Sequence, residues 1–81
     1  MTVRVQFFSW FKELTGCAQA EESLVEGATL DELCRRLFQR FPKLAAAEKC
    51  ALIAVGLDYQ PRDHVLKDGD EVSLFPPVQG G

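Results

Sequence analysis

The residues with the clearest chemical potential are the last two, Gly80 and Gly81. Glycine has no side chain, so a Gly-Gly end can enter a narrow channel and adopt backbone angles closed to other residues. The α-carboxylate of Gly81 is a poor electrophile as it stands, but an acyl-adenylate formed from it is a good one. The sequence has no Gly-rich phosphate loop, so the activating machinery is expected on another protein. A frayed terminus is the competing interpretation of the same dipeptide.

Two prolines upstream favour the chemical interpretation. Pro76 and Pro77 fix φ and lack an N–H donor, so a strand cannot continue past Phe75. They also hold the exit extended, which lowers the entropy cost of ordering it in a partner's groove. Six extended residues reach at most ~20 Å. We therefore divide the chain into a domain, 1–75, and an extended tail, 76–81.

Hydrophobic periodicity predicts the elements that position this tail. Alternation with β-branched and aromatic residues indicates strands, and a continuous apolar run of strand length indicates a strand buried on both faces. The predicted elements are a strand at 2–8, a helical turn at 10–15, a strand at 21–25, a helix at 30–41, a short helix within 43–49, a buried central strand at 51–55, an edge strand at 57–60 and a last strand at 71–75.

The strongest local signal is the helix at 30–41. Thr29 and Glu32 form a capping-box pattern, and apolar residues, Cys34 among them, recur along one face. Pro42 disfavours helical geometry in the residue before it and ends the element. Two strands, a crossover helix and further strands predict an α+β domain in which one mixed sheet packs on one main helix, the ubiquitin-like β-grasp.

Composition narrows the function classes. The chain has 81 residues, enough for one domain, and its net charge of −3 without a basic cluster argues against nucleic acid. No apolar run is long enough to span a membrane and no signal peptide is evident, so we expect a cytoplasmic protein without a membrane partner. Cys17, Cys34 and Cys50 fit neither a disulfide framework nor a CxxC site. Residues 68–70 (DGD) are expected to form a turn, so no metal site is predicted.

Aromatic residues out of phase with the core suggest a partner surface. Phe8 and Phe75 alternate against the inward residues of their strands, so both should lie on the outer face of the sheet. Tyr59, on the predicted edge strand, is expected to join them. Isolated surface aromatics without a function are the alternative. His64 is the only histidine and lies in a polar loop without a nearby nucleophile, so no catalytic role is expected.

Two end blocks closely resemble the small subunit of molybdopterin synthase. The first consists of Phe7-Phe8 followed by residues 12–16, KELTG, and the second of residues 68–72, DGDEV, followed by residues 75–78, FPPV, and by Gly80-Gly81. The second block is the more specific, and the likeness extends along the whole chain. Two residues depart from the pattern: Gly56 stands where an Asn is expected, and Trp10 is bulky for its place after the first strand. How these departures affect docking is left open.

The resemblance implies a sulfur carrier of molybdenum cofactor biosynthesis. In that family an enzyme related to ubiquitin-activating enzymes uses ATP to adenylate the terminal glycine, and a sulfur donor enzyme converts it to a thiocarboxylate. The carrier itself is a non-catalytic subunit that binds no cofactor. It docks on the large synthase subunit in a heterotetramer and inserts its tail, and sulfur passes to a cyclic pterin precursor.

The resemblance also assigns residue roles. It implies that Gly81 is the covalent site and that Pro76, Pro77 and Gly80 belong to the inserted tail. Family contacts near Tyr59 point to the same partner surface that the phase of Phe8 and Phe75 predicts. The alternatives are a ubiquitin-like modifier joined to lysine, a carrier for thiamine or transfer-RNA thiolation, and a plain adaptor. The identity of the sulfur donor, any role of Cys17 or Cys50, and whether the carrier shuttles or stays in complex are left open.

Overall fold

Within residues 1–77, the part of the chain that the computed structural model describes, five strands form one mixed sheet and three helices accompany it. The elements in chain order are β1 (Thr2–Phe7), α1 (Phe11–Thr15), β2 (Gln19–Ser23), α2 (Leu30–Arg40), α3 (Pro42–Ala45), β3 (Leu52–Val55), β4 (Asp58–Tyr59) and β5 (Glu71–Phe75). No helix in this range is long and apolar enough to cross a bilayer.

The sheet has the strand order β2-β1-β5-β3-β4. β1 pairs with β5 in parallel, and the other neighbours are antiparallel. The buried face of α2 shares one hydrophobic core with the inward residues of β1 and β5. The predicted α+β class, with a mixed sheet packed on one main helix, is confirmed.

The backbone N–H groups at the start of α2 have hydrogen-bond acceptors, in agreement with the strong sequence signal for this helix. The hydroxyl of Thr29 accepts a hydrogen bond from the Glu32 N–H at 3.3 Å, the Thr half of the predicted capping box. The first two helical N–H groups donate to the carbonyl oxygens of His64 and Arg62, each at 2.8 Å. The loop before β5 is therefore tied to the helix N-terminus by backbone bonds.

The core lies between the inner face of the sheet and the helices. Phe7 of β1 meets Phe41, the residue that ends α2, edge to face with ring centroids 5.6 Å apart. Cys34 is fully buried within the helical stripe, as expected of a small apolar residue. The largest fully buried side chains are Phe7, Phe11, Leu30, Leu33, Leu37, Leu44, Leu66, Leu74, Val3, Val5, Val72 and Cys34.

Several predicted boundaries shift by one to four residues. β1 ends at Phe7 because Ser9 has a φ of 56°, which breaks the extended backbone. The second strand covers Gln19–Ser23 rather than 21–25. Ser23 pairs with Thr2, the first residue of β1, and beyond it only Met1 remains, which exchanges hydrogen bonds with Leu24. The short third helix begins at Pro42 and ends at Ala45, which places it earlier than the predicted range within 43–49.

The strand predicted at 51–55 is an inner strand that is buried on both faces, but it is not the middle strand of the sheet. β5 occupies the middle of the sheet, and β3 lies between β5 and the edge strand β4. Ile53 and Ala54 are nonetheless both buried although they lie on opposite faces. The continuous apolar run therefore reflects burial of both faces of the strand. A strand next to the edge strand can be buried in this way as well as one in the middle of the sheet.

Leu37 provides a direct test of the core. It is fully buried in the stripe of α2, so Leu37→Ala removes buried methyl groups and leaves a cavity. We expect a loss of about 2–5 kcal/mol in the free energy of unfolding, measured by denaturant titration. Gln39→Ala, on the exposed face of the same helix, is the control and should change stability by less than about 0.5 kcal/mol. Equal losses for the two variants would contradict this packing.

Candidate functional site

Phe75 is the last residue of β5, and its side chain is on the face opposite to the core. Val72 and Leu74 are fully buried on the inner face, so the alternation of the strand sends Ser73 and Phe75 outward. Phe75 is half-buried rather than free because aromatic neighbours flank it. The predicted inward and outward phases of this strand are confirmed.

Phe8 and Tyr59 supply those neighbours. The ring of Phe8 meets that of Phe75 edge to face with centroids 6.1 Å apart, and the ring of Tyr59 is 5.7 Å away on the other side. Phe8 is 42% exposed and Tyr59 64%. The three aromatics predicted from sequence therefore lie together on the outer face.

Leu57 extends this group, and the sequence reasoning missed it. It lies in the turn between β3 and β4 and is 100% exposed. Together with Phe8, Tyr59 and Phe75 it forms what we call the aromatic surface. An open groove of about 520 Å³ runs across it, lined by Phe8, Ala54, Gly56, Leu57, Tyr59, Ser73 and Phe75. A fully exposed leucine beside three clustered aromatics is unusual for a surface without a partner.

Gly56 explains one departure from the family pattern. Its φ is +62°, in the left-handed region, and its N–H donates to the carbonyl of Glu71 at 2.9 Å. Asparagine tolerates this conformation better than other non-glycine residues, so Gly replaces the expected Asn without changing the turn. This turn also reverses the chain direction, so that β4 pairs antiparallel with β3 and Tyr59 lies opposite Ala54.

Trp10, the second departure, lies beside the start of α1. It is 43% exposed and its ring meets that of Phe11 edge to face at 4.8 Å. Phe11 is fully buried, so the contact anchors Trp10 to the core and leaves its outer edge in solvent.

The tail leaves the sheet directly beside the aromatic surface. Pro76 is half-buried and Pro77 exposed, and neither has an N–H with which to continue the ladder that ends at Phe75. Gly80 and Gly81 lie outside the described residues. The division into a domain at 1–75 and a tail therefore stays a prediction.

The 68–70 segment forms the predicted turn. Gly69 has a φ of +84°, and the Asp68 carboxylate accepts a hydrogen bond from the Thr2 N–H at 2.8 Å. The Asp70 carboxylate accepts one from the Lys67 N–H, also at 2.8 Å. These carboxylates are occupied by the backbone, and within residues 1–77 no group of three or more ligand-type side chains is arranged to hold a metal ion.

His64 takes part in the structure through its backbone. Its carbonyl caps α2, and its side chain is only partly exposed in the loop before β5.

A family model, that of the ThiS family, matches residues 5–81 of the chain. The chain belongs to the ThiS family. The resemblance first seen in the two end blocks is therefore confirmed over nearly the whole length.

Curated relatives of this ThiS-family chain carry one description. A protein of Chlamydomonas reinhardtii described as a molybdopterin synthase sulfur carrier subunit is 32% identical over 83 residues, and all of both chains is covered. A protein of Escherichia coli K12 with the same description is 36% identical, covering 98% of this chain and 99% of the relative.

Solved structures agree on the fold. Molybdopterin converting factor subunit 1 from Pyrococcus furiosus has a TM-score of 0.89 and 34% identity, covering 96% of this chain and 99% of that one. A chain from the complex of subunits 1 and 2 of the Helicobacter pylori factor has a TM-score of 0.73 and 30% identity, with both chains fully covered. Small archaeal modifier protein 1 from Haloferax volcanii has a TM-score of 0.88 at 19% identity, covering 95% of this chain and 98% of that one, which shows the fold alone. The predicted β-grasp is confirmed.

The cysteines of this ThiS-family chain differ in their surroundings. Cys34 is fully buried, and loss of hydration raises the pKa of its thiol from 9.0 to about 11, although the nearby Arg62 opposes the shift. Cys50 is exposed and Cys17 half-buried. Because thiolates are the reactive form, burial and a raised pKa both protect Cys34.

Alkylation should therefore discriminate between the cysteines. At mildly alkaline pH, iodoacetamide is expected to label Cys50 in the folded chain and to leave Cys34 unmodified, as read by peptide mass spectrometry. Denaturant should make all three cysteines reactive. Labelling of Cys34 as fast as Cys50 would contradict the burial of Cys34. The Cys50→Ser variant, which has no thiol at that position, is the control for the labelling of Cys50.

The raised pKa of Cys34 in the folded chain also predicts that the free energy of unfolding falls as the pH rises from 9 to about 11. In that range the unfolded chain releases the Cys34 proton and the folded chain keeps it.

Proposed function

We propose that this chain is the sulfur carrier subunit of a molybdopterin synthase, with the Gly81 carboxylate as the site that carries sulfur. The observation that carries the proposal is the family match over residues 5–81, joined to relatives above 30% identity that are described as such carriers. The position of the aromatic surface beside the tail exit supports it independently.

The chemistry begins with activation of the Gly81 carboxylate. A carboxylate oxygen attacks the α-phosphorus of ATP and pyrophosphate leaves, which yields an acyl-adenylate. A sulfur nucleophile at the sulfide oxidation level then attacks the acyl carbon and AMP leaves, so the product is a thiocarboxylate. No oxidant or reductant is required, because sulfur replaces oxygen at one oxidation level.

Transfer then moves the sulfur from the carrier to the precursor. The thiocarboxylate sulfur displaces an oxygen substituent from a carbon of a cyclic pterin precursor, so that a C–S bond forms as a C–O bond breaks, and water then cleaves the acyl–sulfur bond and restores the carboxylate. Two rounds supply the two sulfurs of a dithiolene. The carrier contributes a reactive end group, and the surrounding active sites belong to its partners.

ATP and catalytic side chains therefore belong to other proteins. The sequence has no phosphate-binding loop, so an adenylating enzyme of the ubiquitin-activating type supplies ATP, and a separate sulfur donor enzyme supplies sulfur. The carrier binds no cofactor of its own. All of these steps take place in the cytoplasm.

The large synthase subunit is the partner that receives the loaded tail. Likeness to a chain from a complex of subunits 1 and 2 supports this docking. We expect two carriers and two large subunits to assemble as a heterotetramer. The aromatic surface is the contact region, because Phe8, Tyr59 and Phe75 offer clustered rings of the type enriched at interface centres. Pro76 and Pro77 direct the chain outward from there, and Gly80 provides clearance in a narrow channel.

Thiocarboxylate formation tests the proposal directly. With the adenylating enzyme, ATP and a sulfide source, intact-mass spectrometry should show the exchange of one oxygen for sulfur. Removal of Gly81 should abolish the exchange without changing the unfolding curve, because the core lies within residues 1–77. A competent enzyme that produces no exchange on the full chain would refute the proposal. Reductant-resistant conjugates to lysine would instead favour a modifier.

The docking role of Phe75 is tested by Phe75→Ser. Its ring touches both Phe8 and Tyr59, so its loss should weaken binding to the large subunit by roughly 2 kcal/mol or more, about thirtyfold in Kd. Isothermal titration calorimetry measures this. The matched control is Val65→Ser, which removes a 52% exposed apolar side chain that lies away from the aromatic surface, beside Thr29. Equal affinities for the two variants would exclude Phe75 from the interface.

A further inference from the structure

The sheet has an open edge at β2 whose outward groups can be identified. Leu24 donates to the Met1 carbonyl at 2.8 Å and Phe7 donates to that of Ala18 at 2.9 Å, so even-numbered residues of this segment bond to β1. The N–H and C=O groups of the odd-numbered residues therefore point away from the sheet. An edge of this kind is a template for another strand.

Two arginines of α2 cover this edge. Arg36 donates from Nη1 to the carbonyl of Ser23 at 2.6 Å, and Arg40 donates from Nη1 to the carbonyl of Glu21 at 3.2 Å. The two arginines are one helical turn apart, and the two carbonyls are two residues apart along the strand. The helix thus spans successive outward acceptors of β2.

Glu22 holds both guanidinium groups in place. Its side chain is only 11% exposed, and its carboxylate lies 2.5 Å from Arg40 Nη1 and 4.0 Å from Arg36 Nε. Each arginine therefore has a backbone acceptor and a charged partner at once. Arg40 also lies over the ring of Phe41, with 5.0 Å between its guanidinium carbon and the ring centroid.

The other edge of the sheet is protected by its length. β4 contains only Asp58 and Tyr59, too few residues to template a stable ladder. β2 has five residues, so it is the edge that needs cover.

We propose that Arg36 and Arg40, held by Glu22, form an edge guard that prevents β2 from pairing with the β2 strand of a second copy. Such pairing would be antiparallel and two-fold symmetric, so the same strand serves both partners and no other protein is required. The guard withdraws two of the carbonyl acceptors on which that pairing depends.

An open-edge variant tests the guard. This variant combines Arg36→Ala, Arg40→Ala and Glu22→Gln. It removes the two arginines that cover the carbonyls of β2, and the glutamine avoids leaving a half-buried carboxylate without a charged partner. Sedimentation velocity should show the mass rising from one chain to two with concentration, whereas the unmodified chain stays at one. Arg35→Ala with Lys43→Ala removes two positive charges that do not contact β2, and this control should stay monomeric.

A second substitution identifies the surface that associates. Glu21→Pro removes an outward N–H and costs no bond to β1, so adding it to the open-edge variant should restore the single-chain mass. Circular dichroism checks folding, and Arg40→Ala with Glu22→Gln serves if the triple variant does not fold. A folded open-edge variant that remains monomeric, or a dimer that persists with Glu21→Pro, would overturn the proposal.

Discussion

The parallel pairing of β1 with β5 is the constraint on which both the core and the aromatic surface depend. The register sets Phe7 opposite Leu74, and both side chains enter the core. Because side chains alternate along extended backbone, the next residue in each segment must lie on the outer face; these are Phe8, directly after β1, and Phe75, the last residue of β5. A slip of one residue would exchange core and surface at once, so the aromatic surface is held by the whole stability of the core.

The loop before β5 secures that register. Asp68 accepts from the first N–H of β1, and the Asp70 carbonyl accepts from the Arg4 N–H at 3.0 Å. The C-terminal block that carries the family resemblance therefore has two structural roles. Its DGD turn aligns the central strands, and its final Phe75 and two prolines form the surface and the exit.

The predictability of each element follows from where its determinants lie. α2 and β5 were placed within one residue since their caps, stripe and alternation are local. β2 was misplaced because its end depends on where β1 runs out, and the position of β3 in the sheet is not encoded in its own hydrophobicity. Leu57 and the contact of Glu22 with Arg40 were missed, as both depend on how distant segments meet. Sequence did place Phe8 and Phe75 on one face, because the period-two alternation of their strands decides that. Tyr59 was added to them from its place on the edge strand rather than from alternation.

A carrier that meets its partners through apolar side chains must keep them in water between encounters. The ring of Phe75 packs against Phe8 edge to face and against Tyr59 at a tilt, and Phe8 is less than half exposed. This packing reduces the exposed apolar area but does not remove it, so two chains could still associate through the aromatic surface. Strand pairing at an open sheet edge would add a second way for the chain to self-associate. Cover of β2 by α2 arginines and the short length of β4 close that route. With one edge covered and the other short, the aromatic surface is the place where we propose that a partner docks, and a six-residue extended tail would span at most ~20 Å.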